Sequence, residues 1–251
     1  MNSKKIIYDI GSNNGDDIPY YLLKSDLVVA VEANPRLCDL IKNRFKEEIK
    51  NGSLVVENCV VQINDQIDKV PFYIAKNNHV LSQYPKPSNI NDYEEIYLPS
   101  KDIIKIIKDY GDPFYIKIDV EHYDQEILKK LLTSKIIPPY ISSESHNIEV
   151  FSSLVILGKY NSFKLVDGAS VSERYKDHEI STNSGKIKYS FPHHSAGPFG
   201  NDISGPWMTA HNFFHALGIA GLGWKDIHAS NIETPDANYR PQPHVNISIK
   251  I

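Results

Sequence analysis

The segment 5-KIIYDIGSNNG-15 constrains the fold of this chain more than any other. Its short apolar run suits a strand buried on both faces, and the run stops abruptly at Gly11. Gly11 permits a sharp turn, and Gly15 permits helix and strand to pack closely beside a ligand. Asp16 and Asp17 follow and can cap a helix through 18-IPYYLLK-24, with Pro19 tolerated in its first turn. A buried strand feeding a glycine turn and then a helix is the opening of a βαβ unit.

The same alternation continues. A second strand is expected over 27-LVVAVEA-33 and a helix over 36–50, where Leu37, Leu40, Ile41 and Phe45 recur at helical spacing before Asn51-Gly52 ends it. A third strand over 54–61 and a hairpin-type strand over 70–75 follow. Between Lys76 and Pro99 the pattern dissolves into a long polar loop of the kind that serves as a lid or binding loop. Helices are then expected over 100–110, 123–134 and 147–160, and strands over 114–120, 140–145 and 163–168. This succession predicts one Rossmann-like α/β domain, a mostly parallel twisted sheet with helices on both faces. Residues 1–168 are expected to form its cofactor-binding core. Residues 169–251 are expected to be an irregular substrate-binding extension, closed by a strand over 244-HVNISIKI-251.

Composition excludes several classes. A formal net charge of −4, with Lys interleaved among acids as in 101-KDIIKIIKD-109, is wrong for a nucleic-acid binder. Cys38 and Cys59 give neither a disulfide framework nor zinc spacing, and both read as buried thiols. No apolar stretch approaches the roughly 20 residues of a membrane span and no secretory h-region is visible, so a cytoplasmic location is expected.

Open α/β sheets bind ligands beyond the carboxyl ends of their strands. Those ends carry the polar clusters here: Asp9 to Gly15, Glu32 to Asn34, Asn58-Cys59, Asp119 to His122 and Glu144 to His146. Glu32 at the second strand end can accept hydrogen bonds from both hydroxyls of a ribose. Its alternative role is an acid helping the turn at Asn34. The first loop is not G-x-G-x-x-G, because Asn occupies position 13, which argues against a dinucleotide pyrophosphate.

The segments 7-IYDIGSNNG-15, 29-VAVEANP-35 and 115-YIKIDVEHYDQEIL-128 resemble the FkbM family of S-adenosylmethionine-dependent methyltransferases, over residues 6 to 168. The resemblance implies that Asp9, Gly11, Asn13 and Gly15 line the methionine part of the cofactor. Glu32 then holds the ribose, with Asn34 closing the same strand end, and Asn58 and Cys59 lie beside the adenine. It implies further that Ser82 and Asp119 approach the cofactor. The family shows glycine where this chain has His122, whose side chain would enter the acceptor pocket or force a different turn.

Methyl transfer requires an aligned acceptor and removal of its proton. Asp119, Glu121, His122, Glu144, His146 and His194 are the candidate catalytic residues. In a second version Asp119, Glu144 and His146 hold Mg²⁺ or another divalent cation that acidifies the hydroxyl. The alternatives are a helix cap for Glu121 and an ordinary helix-start neighbour for His146. The stretch 191-FPHHSAGPFGNDISGPW-207 offers His193, His194, Asp202 and Trp207 to a glycan, with Trp207 stacking on a sugar, whereas Phe213, Phe214 and Trp224 are expected in the core. The expected acceptor is a sugar hydroxyl of a surface polysaccharide or activated precursor. A small-metabolite O- or N-methyltransferase, an NAD-dependent oxidoreductase and a non-catalytic cofactor- or glycan-binding module stand as alternatives.

Overall fold

The computed structural model describes residues 4–64 and 68–241. In chain order the elements are β1 (Ile6–Ile10), α1 (Ile18–Leu22), β2 (Leu27–Val31), α2 (Pro35–Arg44), α3 (Lys46–Lys50), β3 (Leu54–Glu57), β4 (Val60–Gln62) and β5 (Lys69–Ala75). Then come β6 (Tyr93–Asp102), α4 (Ile103–Tyr110), β7 (Tyr115–Ile118), α5 (Asp124–Thr133), β8 (Tyr140–Ser145), α6 (Ile148–Ile156) and β9 (Ser162–Asp167). The C-terminal part adds α7 (Val171–Arg174), β10 (His178–Thr182), β11 (Gly185–Tyr189), α8 (Ala210–Ala220) and β12 (Gly223–Ser230).

Seven strands form the central sheet in the order β3-β2-β1-β7-β8-β12-β9. The strands from β3 to β8 run parallel, and β12 runs antiparallel between β8 and β9. The chain winds outward from β1 to β3 and then crosses back to place β7 on the other side of β1. The tips of β1 and β7 are therefore the topological switch point, where such sheets open a crevice.

Strand residues alternate between two cores. Tyr8, Ile10, Val29, Val31, Ile116, Ile118 and Ile141 face one side, covered by Ile103 and Ile106 of α4, Leu128 of α5, Leu154 of α6 and Phe213 of α8. Ile7, Val28, Ala30 and Tyr115 face the other, covered by Tyr20 and Tyr21 of α1 and by Phe191, Phe199 and Trp207. The Tyr115 and Phe199 rings stack at 4.1 Å. The segment 191–207 is thus the cover of one sheet face.

Several boundaries differ from the sequence expectation. The strand expected over 54–61 splits at Asn58 and Cys59: β3 stays in the main sheet, while β4 joins β6 and β5 in a separate three-stranded sheet. The polar loop expected to Pro99 is shorter, because β6 pairs antiparallel with β5 from Tyr93 onward. Its exposed Glu94, Glu95 and Tyr97 hide the strand from a hydrophobicity reading. Asp102 ends β6 and caps α4, its Oδ1 accepting the Ile104 and Lys105 amides. The helix expected over 36–50 breaks at Phe45, whose ring turns in toward Gly15. The C-terminal part is more regular than expected, with a hairpin, a helix and a buried strand. The strand expected over 244–251 lies outside the described residues.

Candidate active site

Two clefts meet at the strand tips. The inner one is lined by Gly11, Asn13 and Glu32 on one side and by Cys59, Ser82, Asp119 and Glu121 on the other, with Leu37, Val60, Val61 and Phe72 as apolar wall. The outer one is lined by Asp17, Lys117, Glu144, His146, His194 and Trp224. Asn13, Val80, Asp119 and Glu121 line both, so the clefts adjoin along these four residues.

Gly11 makes the junction possible. Its φ is +87°, and a Cβ there would stand 1.7 Å from the carbonyl oxygen of Asp119. The Gly11 and Ser12 amides both donate to the carbonyl of Val31, folding the first loop over the tip of β2. That fold presents the Asn13 amide to Glu32 Oε2 at 2.8 Å, while the Asn34 amide donates to Glu32 Oε1 at 2.7 Å. Burial pushes the Glu32 carboxyl up to about 7 against these two donors. Each oxygen keeps a further lone pair for a ligand hydroxyl.

The remaining expected cofactor residues divide. Ser82 and Cys59 line the inner cleft, and the Ser82 hydroxyl accepts the Ala75 amide. Asp9, Gly15, Asn34 and Asn58 stand behind the lining of both clefts. Asn34 caps α2 through the Arg36 amide, and Asn58 ties down the tip of β2 by donating to the carbonyls of Glu32 and Ala33. Gly15 leaves room for Ile18 and Ile41. Both cysteines are buried thiols, raised to about 12 by burial.

Acids and imidazoles gather in the outer cleft. His146 Nε2 lies 3.0 Å from Glu144 Oε2, outside hydrogen-bond geometry, and 4.0 Å from Glu121 Oε2. The Glu144 carboxylate raises His146 to about 9, against burial. Burial, then Asp119 and Glu144, raise Glu121 to about 8. Glu121 does not cap α5, and the amide of Val120 bonds instead to Asp124. Asn147 caps α6, with His146 as its neighbour. His122 keeps the turn that glycine would make, at φ +66°, with its ring 5.2 Å from that of His146. It faces neither shared cleft and lines a third, beneath the 77–93 loop. One carboxylate oxygen each from Asp119, Glu121 and Glu144 lie within 4.8 Å of one another. This trio differs from the expected set of Asp119, Glu144 and His146.

A model of the methyltransferase FkbM domain matches residues 9–164. The chain belongs to the FkbM methyltransferase family. Membership implies S-adenosylmethionine as the methyl donor. The crystal structure of a methyltransferase FkbM from Methylobacillus flagellatus KT is similar at TM-score 0.46 and 15% identity, over 65% of this chain and 40% of that one. This chain therefore spans less than half the length of that relative. A precorrin-6y C5,15-methyltransferase from Geobacter metallireducens GS-15 is similar at TM-score 0.38 and 10% identity, over 66% of this chain and 68% of that one. No curated protein matches the sequence. No helix among the described residues is long and apolar enough to cross a membrane.

In this FkbM-family chain the sequence reading missed Lys117 and Asp226. Strand register sets Lys117 beside Asp9 and sets Asp226 beside Glu144. Lys117 Nζ lies 3.5 Å from Asp9 Oδ1, 3.9 Å from Asp17 Oδ2 and 3.1 Å from Asp119 Oδ2. Burial opposes its charge, but Asp119, Asp9, Asp17 and Asp226 outweigh burial and hold the amine well above the usual lysine range. Burial in turn raises Asp9 and Asp226, and lifts Asp17 to about 6. A lysine inside a strand buried on both faces was the signal available for Lys117. Asp226 had none, because 223-GWKDIHAS-230 reads as loop.

The glycan-facing group expected from 191–207 separates. Trp207 is buried, and its Nε1 donates to Asn201 Oδ1 at 2.8 Å. Asp202 is buried, accepting from Tyr20, Lys24 and the Ser181 amide. Asp17 anchors the segment by accepting from Ser195 and the Ala196 amide. His194 reaches the outer cleft.

Proposed function

We propose that this chain transfers a methyl group from S-adenosylmethionine to a hydroxyl of a sugar, in a surface polysaccharide or an activated sugar precursor. The observation that carries the reading is the shared boundary of the two clefts: Asp119 and Glu121 belong to both, so a donor in one and an acceptor in the other meet at carboxylates.

The inner cleft suits the donor. Glu32 offers lone pairs for the ribose hydroxyls, and the apolar wall of Leu37, Val60 and Phe72 suits an adenine. Asn13 has a buried Oδ1 without a hydrogen-bond partner, an acceptor for the amino end of the methionine part. When bound, the donor supplies a methyl group on a sulfonium already activated toward in-line displacement.

The protein then has to orient the acceptor and take its proton. Glu121 is the proton acceptor in this reading, because it stands at the junction and its carboxyl is tuned near the working pH. His146 stands behind it, and its imidazolium, favoured by the Glu144 carboxylate, keeps positive charge beside Glu121. The many polar groups of the outer cleft, among them Asn14, Asp16, Asn78 and His194, suit a polyhydroxylated acceptor.

The test is release of S-adenosylhomocysteine in the presence of polysaccharide fragments, nucleotide-activated sugars and small phenols. Glu121→Gln should lower kcat by about 10²- to 10⁴-fold while the affinity for S-adenosylhomocysteine stays as in the wild type. Wild-type turnover on phenols alone would overturn the sugar reading. Undiminished kcat in Glu121→Gln would remove Glu121 as the base.

A further inference from the structure

Trp224 occupies the place that sequence context gives to Trp207. It is the second residue of β12, is 47% exposed, and lines the outer cleft beside Glu144, His146 and His194. Its position is built into the fold. Gly168 lies beneath the indole, and a Cβ there would come within 2.4 Å of Nε1, 2.6 Å of Cε2 and 2.7 Å of Cδ1. Gly168 does not adopt a positive φ, so the backbone leaves room for other residues and the indole does not. His193 continues the row with its ring 6.2 Å from Trp224, and His194 stacks on His193 at 4.9 Å and 21°.

We propose that Trp224, seated on Gly168 and extended by His193 and His194, is the platform on which a pyranose ring of the acceptor stacks. The proposal rests on the sugar-acceptor reading above. A large aromatic face left half in water, in a cleft whose other lining is mostly polar apart from Val80 and Leu81, needs an apolar surface to cover it. A pyranose provides one through its C–H face, and its hydroxyl edge then turns toward Glu144, His146 and Glu121. The density of acids around the cleft disfavours an anionic group over the indole. An uncharged sugar ring is therefore the occupant, and any phosphate of an activated sugar lies away from the acids.

The experiment compares the wild type with Trp224→Ala, Trp224→Phe and Gly168→Ala, each holding S-adenosylhomocysteine with wild-type affinity. Binding of methyl pyranosides and nucleotide-activated hexoses is followed by saturation-transfer NMR, and turnover by S-adenosylhomocysteine release, with catechol and glycerol as controls. Trp224→Ala and Gly168→Ala should raise KM for the sugar by about tenfold with little change in kcat, and Trp224→Phe should recover most of the loss. Gly168→Ala is the decisive arm, because it displaces the indole without altering its chemistry. A sugar bound and methylated equally well by the wild type and Trp224→Ala overturns the platform and leaves the sugar reading standing. A wild type that binds and methylates none of the pyranosides overturns both.

Discussion

Lys117 Nζ lies 3.1 Å from Oδ2 of Asp119, and this contact joins the buried charge network to the floor shared by the two clefts. The same ammonium stands 3.5 Å from the carbonyl of Gly11, at the turn that brings the first loop against the tip of β7. One cation thus steadies both sides of the junction.

Replacing Lys117 with Met should expose that dependence. The Asp9, Asp17 and Asp119 carboxylates would lose their common buried partner, and breaking a buried pair in this way costs about 3–5 kcal/mol. Chemical denaturation should show a lowered midpoint, and adding Asp9→Asn should restore part of it. A Lys117→Met protein unfolding at the wild-type midpoint would remove the network from the account.

Glu32 gives a pH dependence. Its carboxyl titrates near 7 in the folded protein because burial raises it above the usual carboxylate range. A raised acid contributes stability that is fully present below its unfolded pKa and lost as pH rises through the folded value, so its share declines from about pH 4.5 to 7. Donor binding runs the other way, since the carboxylate is the better acceptor for ribose hydroxyls. Calorimetric affinity for S-adenosylhomocysteine should rise between pH 5.5 and 8, by at most about tenfold per unit. Glu32→Gln should bind more weakly and show a flat profile. A steep profile in that variant would assign the titration elsewhere.

His122 stands at φ +66° directly after Glu121 at φ +43°. A non-glycine residue in the left-handed region costs about 1–2 kcal/mol. His122→Gly should therefore raise the thermal midpoint by about 2–4 °C for a chain of this size, with the His146 ring losing its neighbour. A lowered midpoint would mean that the His122–His146 contact outweighs the strain.

Chelator should leave turnover unchanged. Lys117 and the imidazolium of His146 already supply positive charge beside Asp119, Glu121 and Glu144, and the sulfonium of the donor supplies more. Activity lost in chelator and restored by Mg²⁺ would instead put a cation on that trio of carboxylates.

Much of the candidate site was legible because each strand tip carries its polar residues next to an apolar run, and such runs are local. Glu32 and Asp119 emerge in this way, and the positions of Glu121, Glu144 and His146 follow. Which tip residues reach the clefts was not legible. Asn34 and Asn58 have the right chemistry in the right place, yet Asn34 spends it on capping α2 and Asn58 on holding the tip of β2. The two tryptophans were assigned from their neighbours in sequence, and the fold reverses them: segment 191–207 is needed to cover a sheet face, so Trp207 is buried, while β12 carries Trp224 to the cleft rim.

Local pattern along the chain was enough for the alternation of buried strands and helices, the parallel sheet that follows from it, and the sheet edge at which the polar residues gather, because all three depend on periodicity over a few residues and on the handedness of L-amino acids. Tertiary structure alone decided that 223–230 is a strand. Its Asp226 and His228 are buried by pairing with β8 on one side and β9 on the other, and no local pattern distinguishes such a polar strand from a loop. It also decided the union of Lys117 with Asp9, Asp17 and Asp119, since register between strands distant in sequence is fixed by packing and not by any neighbour along the chain.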